Sequence, residues 1–438
     1  MDCFPEVRIT LLHVSRVLIV LILIIMCVAC GETYRPVAFP ITPTPPNPGA
    51  THLALVVNEN GPSNPGTVTE IDVSGDSALS VVKVGLGPVH AALTPDGSRV
   101  YVANKLEDTV SAFSSAPPSL PVVPSTITLP AGSAPVFVHT TQNGTVYVAN
   151  SGTGTVAEIP TFSNVVSNVL SLGAGAKPIA LAETPDGRKI YSVNQGNGTI
   201  TGINTLDFSM SATVATGTSP TWAVARSDSA RVYVLDGGTG TVYAIDTASD
   251  NIVSSSGSAG AGANFMFYEK TRNRLYVTNP SANTLTILDA STDALDVFAA
   301  LPVQNPVSVT ALPDGSRAYV ASAAVNGSSV SSQVTVVNAS SGTLTGTVIS
   351  LAAVPAICDP ATTRFRVFAA AAAGSSKVYV SNCDAGSTAI INTLATAGAP
   401  PDSLALNLPG PAGNPQPTPS NSNPPPAPQN PVFALTGP

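Results

Sequence analysis

Charged and aromatic side chains are both scarce in this 438-residue chain: charged residues make up 10% of it and aromatic residues 5%. The 26 acidic residues outnumber the 18 basic ones, and a net charge of −8 argues against a nucleic-acid partner. Hydrophobic residues nevertheless reach 44%, which is too many for a disordered chain. Because Leu-rich helical periodicity is also lacking, the composition favours neither a helical protein nor a disordered one.

A secretion signal is predicted at the start of the chain. Two arginines precede the apolar run Val17–Ala29, whose 13 residues are too few to span a bilayer but suit the core of a signal peptide. The following Cys30 lies in a Val-Ala-Cys-Gly sequence that resembles the lipobox of bacterial lipoproteins, so Cys30 is the expected lipidation site. An uncleaved anchor helix is the alternative. Both interpretations place the rest of the chain outside the cytoplasm, in the bacterial cell envelope.

The choice of membrane is predicted from the residue after Gly31. In enterobacterial lipoproteins an Asp at that position retains the protein at the inner membrane, whereas this chain has Glu32. The outer membrane is therefore favoured for the lipid anchor. The anchored domain is expected on the periplasmic or cell-surface side.

A short strand pattern recurs through the middle of the chain. It reads approximately Val-Tyr-Val-Ala-Asn, and an eighth copy without the tyrosine lies at residues 54–58. The tyrosines of the other seven copies are Tyr101, Tyr147, Tyr191, Tyr233, Tyr276, Tyr319 and Tyr379. All but the last two tyrosines are separated by 42 to 46 residues. A period of this length with short apolar strands is typical of β-propeller blades, so an all-β, closed propeller of four-stranded units is predicted.

Each unit divides into four strands, A to D. Strand A follows a proline, strand B is the tyrosine pattern, and strand C opens with a threonine five residues after the end of strand B. That offset holds in five units, at Thr109, Thr155, Thr199, Thr241 and Thr284. The asparagines that end strand B recur too regularly to be catalytic, and we interpret them as hydrogen-bonding their own B–C turns. They include Asn104, Asn150, Asn194 and Asn382.

The repeat resembles the YVTN β-propeller repeats of archaeal surface-layer proteins and bacterial secreted proteins. Residues 276–279 spell Tyr-Val-Thr-Asn, with Pro-Asp-Gly turns before strand B and Thr-Val…Ile-Asp sequences after it in other units. The resemblance implies a propeller. Because members of the family typically have seven blades, seven stays the alternative to the eight units counted here. Relatives include lactonase-like enzymes and proteins without known chemistry, so the resemblance leaves the activity open.

The end of the chain is expected to close the ring. Residues 429–438 match the inner strand at 304–313, and the first unit has strands B, C and D without a strand A. A C-terminal strand A would remove the exposed sheet edge. The predicted organisation is a signal peptide at 1–29, a lipidated cysteine with a Pro-rich tether at 30–50, the propeller at 51–408, a Pro-rich loop at 409–428 and the closing strand at 429–438.

Additions to the repeat are expected to cluster on one face of the propeller, formed by the B–C and D–A loops. They belong to neighbouring units, and the tether enters at the other end of strand B, so this face is predicted to point away from the membrane. The additions are the loops at 58–67 and 322–333, the insertion at 355–364 and the Pro-rich return at 408–429.

Few residues are candidates for a site. Cys358 and Cys383 both fall on the elaborated face of one unit, so a disulfide is predicted, with two isolated thiols as the alternative. His90 and His139 lie early in consecutive A strands and are candidates to line the central channel, with structural burial as the alternative. Two histidines are too few for a metal site, and the spacing shows no acidic partner for them. No metal and no cofactor is predicted.

The sequence favours binding over catalysis. A monomeric, lipid-anchored scaffold is expected, which would present its loop-rich face to an envelope or extracellular protein or polymer. The alternative is a lactonase-like propeller enzyme that acts on a lactone or another small sugar-derived substrate at the channel mouth. No catalytic residue is identified for that alternative.

Overall fold

The computed structural model describes residues 53–115, 123–358, 363–396, 398–408 and 430–437. The predicted signal peptide, Cys30, the tether, His52 and the Pro-rich loop lie outside these residues. Within these described residues, no helix is long and apolar enough to cross a membrane.

The described chain forms 32 β-strands in eight four-stranded antiparallel sheets. In chain order the strands are β1 Leu53–Asn58, β2 Pro65–Asp72, β3 Ser77–Leu86, β4 Pro88–Leu93, β5 Arg99–Asn104, β6 Thr109–Ser114, β7 Ser125–Thr128, β8 Pro135–Thr140, β9 Thr145–Asn150, β10 Thr155–Pro160, β11 Asn168–Ser171, β12 Pro178–Glu183, β13 Lys189–Asn194, β14 Thr199–Asn204, β15 Ser209–Ala215, β16 Pro220–Ala225, β17 Arg231–Asp236, β18 Thr241–Asp246, β19 Asn251–Ser256, β20 Phe265–Glu269, β21 Arg274–Asn279, β22 Thr284–Asp289, β23 Val297–Pro302, β24 Pro306–Ala311, β25 Arg317–Asn326, β26 Ser329–Asn338, β27 Thr343–Pro355, β28 Val367–Ala371, β29 Lys377–Asn382, β30 Ser387–Asn392, β31 Ser403–Leu408 and β32 Pro431–Thr436.

Blades 2 to 8 are consecutive groups of four strands, from β4–β7 to β28–β31. Blade 1 contains β1, β2 and β3, and its inner strand is β32. The register runs from Ala54 opposite Thr436 to Asn58 opposite Pro431. The prediction of eight blades closed by the C-terminal strand is confirmed. The A strands of neighbouring blades contact each other around the centre of the ring.

The repeated tyrosine fills the space between blades. All seven tyrosines are almost completely buried. Four of them also use their hydroxyl groups on the next blade, as when Tyr101 donates to Asn164 Oδ1 at 2.8 Å and Tyr233 donates to the Ala290 carbonyl at 3.2 Å. The hydroxyls of Tyr147, Tyr276 and Tyr379 are buried without a partner among the described residues. What all seven tyrosines share is therefore the packing of their aromatic rings between neighbouring blades.

A basic residue two positions before the tyrosine reaches the C–D turn of the next blade in six units. Lys189 pairs with Asp250 at 2.7 Å, and Arg231 pairs with Asp293 at 2.7 Å. The remaining four contacts are Arg99 with the Thr161 carbonyl, Arg274 with the Ala339 carbonyl, Arg317 with Asp402 and Lys377 with Asp76. The last of these spans the seam between blades 8 and 1. We call the face that carries these contacts, built from the A–B and C–D turns, the latched face.

The predicted role of the asparagines that end strand B is confirmed in all four named copies. Asn104, Asn150 and Asn194 each donate to the threonine hydroxyl that opens strand C, at 3.0 to 3.1 Å. Asn382 accepts from the Ala385 amide of its own turn at 3.4 Å, and it also donates at 2.9 Å to Ser332 of the neighbouring blade. These bonds explain the constant spacing of five residues between Asn and Thr.

Blade 7 corrects one expectation. Residues 322–333, predicted as a loop, belong mostly to β25 and β26, which stay paired from Arg317 opposite Asn338 to Asn326 opposite Ser329. The outer strand β27 follows them to Pro355. The segment consists mainly of small residues with Val325 paired opposite Val330, and the backbone ladder continues through it, so the addition is an extended sheet and not an open loop.

Candidate functional site

In every A strand, one residue pairs with the strand B residue that immediately precedes the Asn, Asp or Ser at the end of the repeated pattern. Six of these eight residues carry rings. The set is His90, Phe137, Ala180, Trp222, Phe265, Ser308, Phe368 and Phe433. Because the A strands surround the centre of the propeller, this register places the rings together in its central channel.

The six rings form a closed circuit, which we call the aromatic septum. The distances between neighbouring ring centroids are 3.8 Å for His90–Phe137, 5.8 Å for Phe137–Trp222, 4.7 Å for Trp222–Phe265, 5.5 Å for Phe265–Phe368, 4.6 Å for Phe368–Phe433 and 4.3 Å for Phe433–His90. The circuit skips the small side chains of blades 4 and 7. A seventh ring, Phe365, packs on it at 5.1 Å from Phe368 and 6.0 Å from Trp222.

A cavity of about 560 Å³, here called the mouth pocket, lies on one side of the septum. Its floor includes His90, Trp222, Phe365 and Phe433. Its walls come from residues just after B strands or just before A strands, and they therefore belong to the B–C/D–A face. Those wall residues are Lys105, Ala134, Ser151, Gly152, Lys177 and Gln195.

The mouth pocket is lined by three cationic side chains, Lys105, Lys177 and Arg364. None of its described lining residues is an Asp or a Glu. None of the three forms an ion pair within 4.0 Å in the part of the chain that the structure describes, whereas most other basic residues bond to the next blade or to a nearby carboxylate. In a chain with a net charge of −8, this local excess of positive charge points to an anionic ligand.

Arg364 crosses the mouth from the insertion that precedes blade 8. Its Nη1 donates to the Ile179 carbonyl at 2.8 Å and its Nη2 to the Thr221 carbonyl at 2.6 Å, on blades 4 and 5. The guanidinium carbon lies 4.7 Å from the centroid of Trp222. Partial loss of hydration at this position lowers the pKa of Arg364 to about 10, so the side chain is still a cation at neutral pH. Since guanidinium has five N–H donors, these two carbonyls leave donors for a ligand.

His90, a predicted channel-lining residue, is part of the septum and of the pocket floor. Burial is the main cause that lowers its pKa well below the usual value, and the positive charge of Arg364 acts in the same direction. The Val138 amide donates to its Nδ1 at 3.5 Å, which assigns the ring proton to Nε2. His90 is therefore a neutral hydrogen-bond donor on this floor. It is poorly suited to act as a base there.

His139, the second channel-lining candidate, is outside the mouth pocket. Its Nε2 lies 2.9 Å from Glu183 Oε2 on the next blade. The expectation that the histidines have no acidic partner was wrong, because Glu183 approaches from a neighbouring sheet and sequence spacing within one blade does not reveal it. The described residues contain no group of three or more His, Cys, Asp or Glu side chains arranged to hold a metal ion.

A second cavity of about 800 Å³ lies on the other side of the septum, towards the latched face. Small and apolar side chains line most of it, including Ala225, Phe267, Ala311 and Leu435. Its threonines are used internally, as when Thr436 donates to the Ala371 carbonyl at 2.7 Å. Its charged lining residues are Glu269, which accepts from the Thr271 and Arg272 amides, and Lys270. Because this cavity lacks the cationic excess of the mouth pocket, the mouth pocket is the better candidate site.

Cys358 and Cys383 are joined by a disulfide in the structure, with 6.1 Å between their Cα atoms. They lie on the same face as the mouth pocket. Sequence reasoning marked the insertion at 355–364 but gave no role to Arg364 and Phe365. The signal for them was their position at the end of an insertion, next to an inner strand.

Comparison with known proteins finds similarity in structure only. No family model and no curated protein matches the chain. Similar solved structures include a proposed 6-phosphogluconolactonase of Bacteroides fragilis, with a TM-score of 0.54, 17% identity, and coverage of 71% of this chain and 97% of that one. A periplasmic gluconolactonase of Pseudomonas aeruginosa has a TM-score of 0.54 and 18% identity, with 69% and 96% covered.

A third similar structure is the dihydro-heme d1 dehydrogenase NirN, with a TM-score of 0.61, 12% identity, and coverage of 83% of this chain and 77% of that one. Identities this low establish the propeller fold and no activity. The resemblance to YVTN repeats rests on the motifs alone.

Proposed function

We propose that this protein is a lipid-anchored, extracytoplasmic propeller that binds a small anionic molecule with a flat apolar part in its mouth pocket. The observation that carries the proposal is the set of three cationic side chains above the aromatic septum, with no acidic residue among the described lining residues. Charge selects the anion, and the ring floor gives apolar contact area. The broader scaffold role, with an envelope protein or polymer as partner, stays a prediction beside it.

The extracytoplasmic location is supported by the lipobox-like sequence at Cys30 and by a similar structure that is a periplasmic gluconolactonase. A disulfide between Cys358 and Cys383 is suited to the same oxidising compartment. We therefore place the pocket in the cell envelope, on a monomer that is anchored through Cys30.

A lactonase is the second candidate function, favoured by the two similar structures whose names refer to gluconolactone chemistry. A phosphorylated lactone would suit the cationic pocket. Hydrolysis, however, also needs a base to activate water. The described lining residues include no carboxylate. His90 cannot take a proton from water either, because its Nδ1 accepts from the Val138 amide and its Nε2 already carries the ring proton. Binding is therefore the better-supported function.

The test compares two dyes that differ only in charge. 8-Anilinonaphthalene-1-sulfonate carries a sulfonate, and N-phenyl-1-naphthylamine has the same rings without it. We expect the wild-type domain to bind the sulfonate at least about tenfold more tightly at low salt, and added salt to remove most of the preference. Equal affinity for the two dyes would contradict the proposal. Lactone-dependent proton release that disappears in Arg364→Met would instead favour the lactonase.

A further inference from the structure

Arg364 lies in residues 363–366, which have no regular secondary structure and lead directly into β28 at Val367. A long side chain on such a segment would ordinarily lose much conformational entropy when it is fixed over a pocket. The contacts on either side of Arg364 therefore decide how well its charge is placed.

Cys358, before Arg364 in the chain, and Arg366, after it, are both attached to the turn that follows β29 in blade 8. The disulfide ties Cys358 to Cys383, and the Cys383 amide donates to the Arg366 carbonyl at 2.9 Å. The neighbouring Asp384 has a fully buried carboxylate that accepts from the Ile357 and Cys358 amides at 2.9 and 3.0 Å.

Arg366 completes this arrangement, which we call the clamp. Its Nη1 lies 2.6 and 2.7 Å from the two carboxylate oxygens of Asp384, and its Nη2 donates to the Cys358 carbonyl at 3.0 Å. A buried carboxylate is stable only when paired and hydrogen-bonded, as it is here. The clamp therefore fixes residues on both sides of Arg364 to the same point of the fold.

The residues adjacent to Arg364 are fixed as well. Thr363 donates to Glu59 Oε2 of blade 1 at 3.1 Å, and Phe365 packs at 5.6 Å from Phe265. Arg364 thus lies between two anchored neighbours, with its own head group on the carbonyls of blades 4 and 5.

We propose that Arg364 determines the preference of the mouth pocket for anions and that the disulfide-linked clamp positions it. This inference rests on the proposed binding function. Arg364 is the residue that contacts the anion, whereas Cys358, Cys383 and Arg366 act only through the placement of Arg364. The clamp residues lie in the connections before β28 and after β29, outside the eight sheets, so we expect the sheets to form without the clamp.

The test is a double-mutant cycle between Arg364→Met and the pair Cys358→Ala/Cys383→Ala. We expect each to weaken binding of the anilinonaphthalene sulfonate by about tenfold, and the combined variant to bind no more weakly than Arg364→Met alone. Affinity for the uncharged naphthylamine should stay within about twofold throughout. Multiplying effects in the combined variant, or wild-type affinity without the disulfide, would overturn the proposal.

A second variant tests the proposal independently if the cysteine variant folds poorly. Arg366→Gln keeps the disulfide but removes the charged part of the clamp, and we expect it to weaken sulfonate binding about threefold to tenfold. Circular dichroism and the urea midpoint should show a folded propeller in each sample. If the wild type fails to prefer the sulfonate, the proposed function is wrong. If it prefers the sulfonate and both clamp variants do so equally, only this inference is wrong.

Discussion

The two faces of the propeller differ in what their loops do, since one face joins neighbouring blades and the other forms the mouth pocket. On the latched face, six blades bind the next blade in the same way, through a basic residue at the start of strand B that reaches a C–D turn. On the mouth face the cationic residues do not recur from blade to blade, since the lysines come from blades 2 and 4 and the arginine comes from the insertion before blade 8. Contacts that repeat hold the ring, and contacts that occur once build the site.

The contrast extends to how charge is used. The six basic side chains that precede the tyrosines on the latched face are bonded to a carboxylate or a carbonyl of the next blade, so their charge is used within the fold. Lys105 and Lys177 at the mouth have no such ion pair among the described residues. A substitution on one face should therefore change stability alone, and a substitution on the other should change binding alone.

The largest expected effect is on the buried tyrosines that separate the blades. Tyr233→Ala should lower the free energy of unfolding by about 3–5 kcal/mol, because it removes a fully buried ring and leaves a cavity. Sulfonate binding by the folded fraction should be unchanged. Tyr379→Phe is the matched control and should cost little, because its hydroxyl is buried without a described partner. Urea unfolding measures the free energy of unfolding of both variants. A large loss of dye affinity in Tyr233→Ala would mean that the two faces are coupled.

A buried carboxyl gives the next largest effect and belongs to neither face. Glu70 of β2 is buried, its Oε2 accepts from Ser80 and its Oε1 has no described partner. Burial raises its pKa from 4.5 to about 7. The folded state therefore holds a proton that the unfolded state loses, and stability falls as the pH rises from about 4.5 to 7.

Glu70→Gln should remove that pH-dependent cost. The variant should gain up to about 3 kcal/mol over the wild type at pH 8 and show little difference from it near pH 4.5. Urea midpoints of both proteins at the two pH values supply the measurement. A difference between variant and wild type that does not change with pH would show that Glu70 is charged in the fold.

The lysines at the mouth should have a smaller effect, on binding alone. Lys105→Met and Lys177→Met should each weaken sulfonate binding about twofold to fivefold, because both ammonium groups are partly solvated and screened by salt. Lys270→Met is the matched control, since Lys270 lines the cavity on the opposite side of the septum. Fluorescence titration at low and moderate salt measures the change. An equal loss in Lys270→Met would assign the effect to net charge.

Repetition also explains how much of the fold could be predicted. The tyrosine pattern and the Asn-to-Thr spacing recur from unit to unit, so the eight blades could be predicted from the sequence. The closure could also be predicted, because residues near the C-terminus match an inner strand that the first unit lacks. The loop at 322–333 was misjudged because a paired extension of strands has no turn signal that distinguishes it from a loop of similar composition.

The site could be predicted only in part, because it depends on contacts between blades. The rings from Phe137 to Phe433 are separated by nearly 300 residues and meet only because every A strand begins in the same register. Each ring, taken alone, looks like a core residue. Likewise, Glu183 and His139 become partners only when two sheets pack together. His90 was identified as a channel residue from its place in strand A, but its neutral state follows from burial and from Arg364.

Two lysine substitutions test whether the closing seam is as stable as the rest of the latched face. Lys377→Met removes the pair with Asp76 between blades 8 and 1, and Lys189→Met removes the equivalent pair with Asp250 between blades 4 and 5. Each should cost about 0.5–1.5 kcal/mol in urea unfolding, since the paired groups are partly exposed. If the ring is closed as firmly at the seam as elsewhere, hydrogen exchange in β32 should change no more in Lys377→Met than exchange in β16 changes in Lys189→Met. Faster exchange confined to β32 would show that the C-terminal strand opens locally and that the lysine at the seam holds more than its copies do.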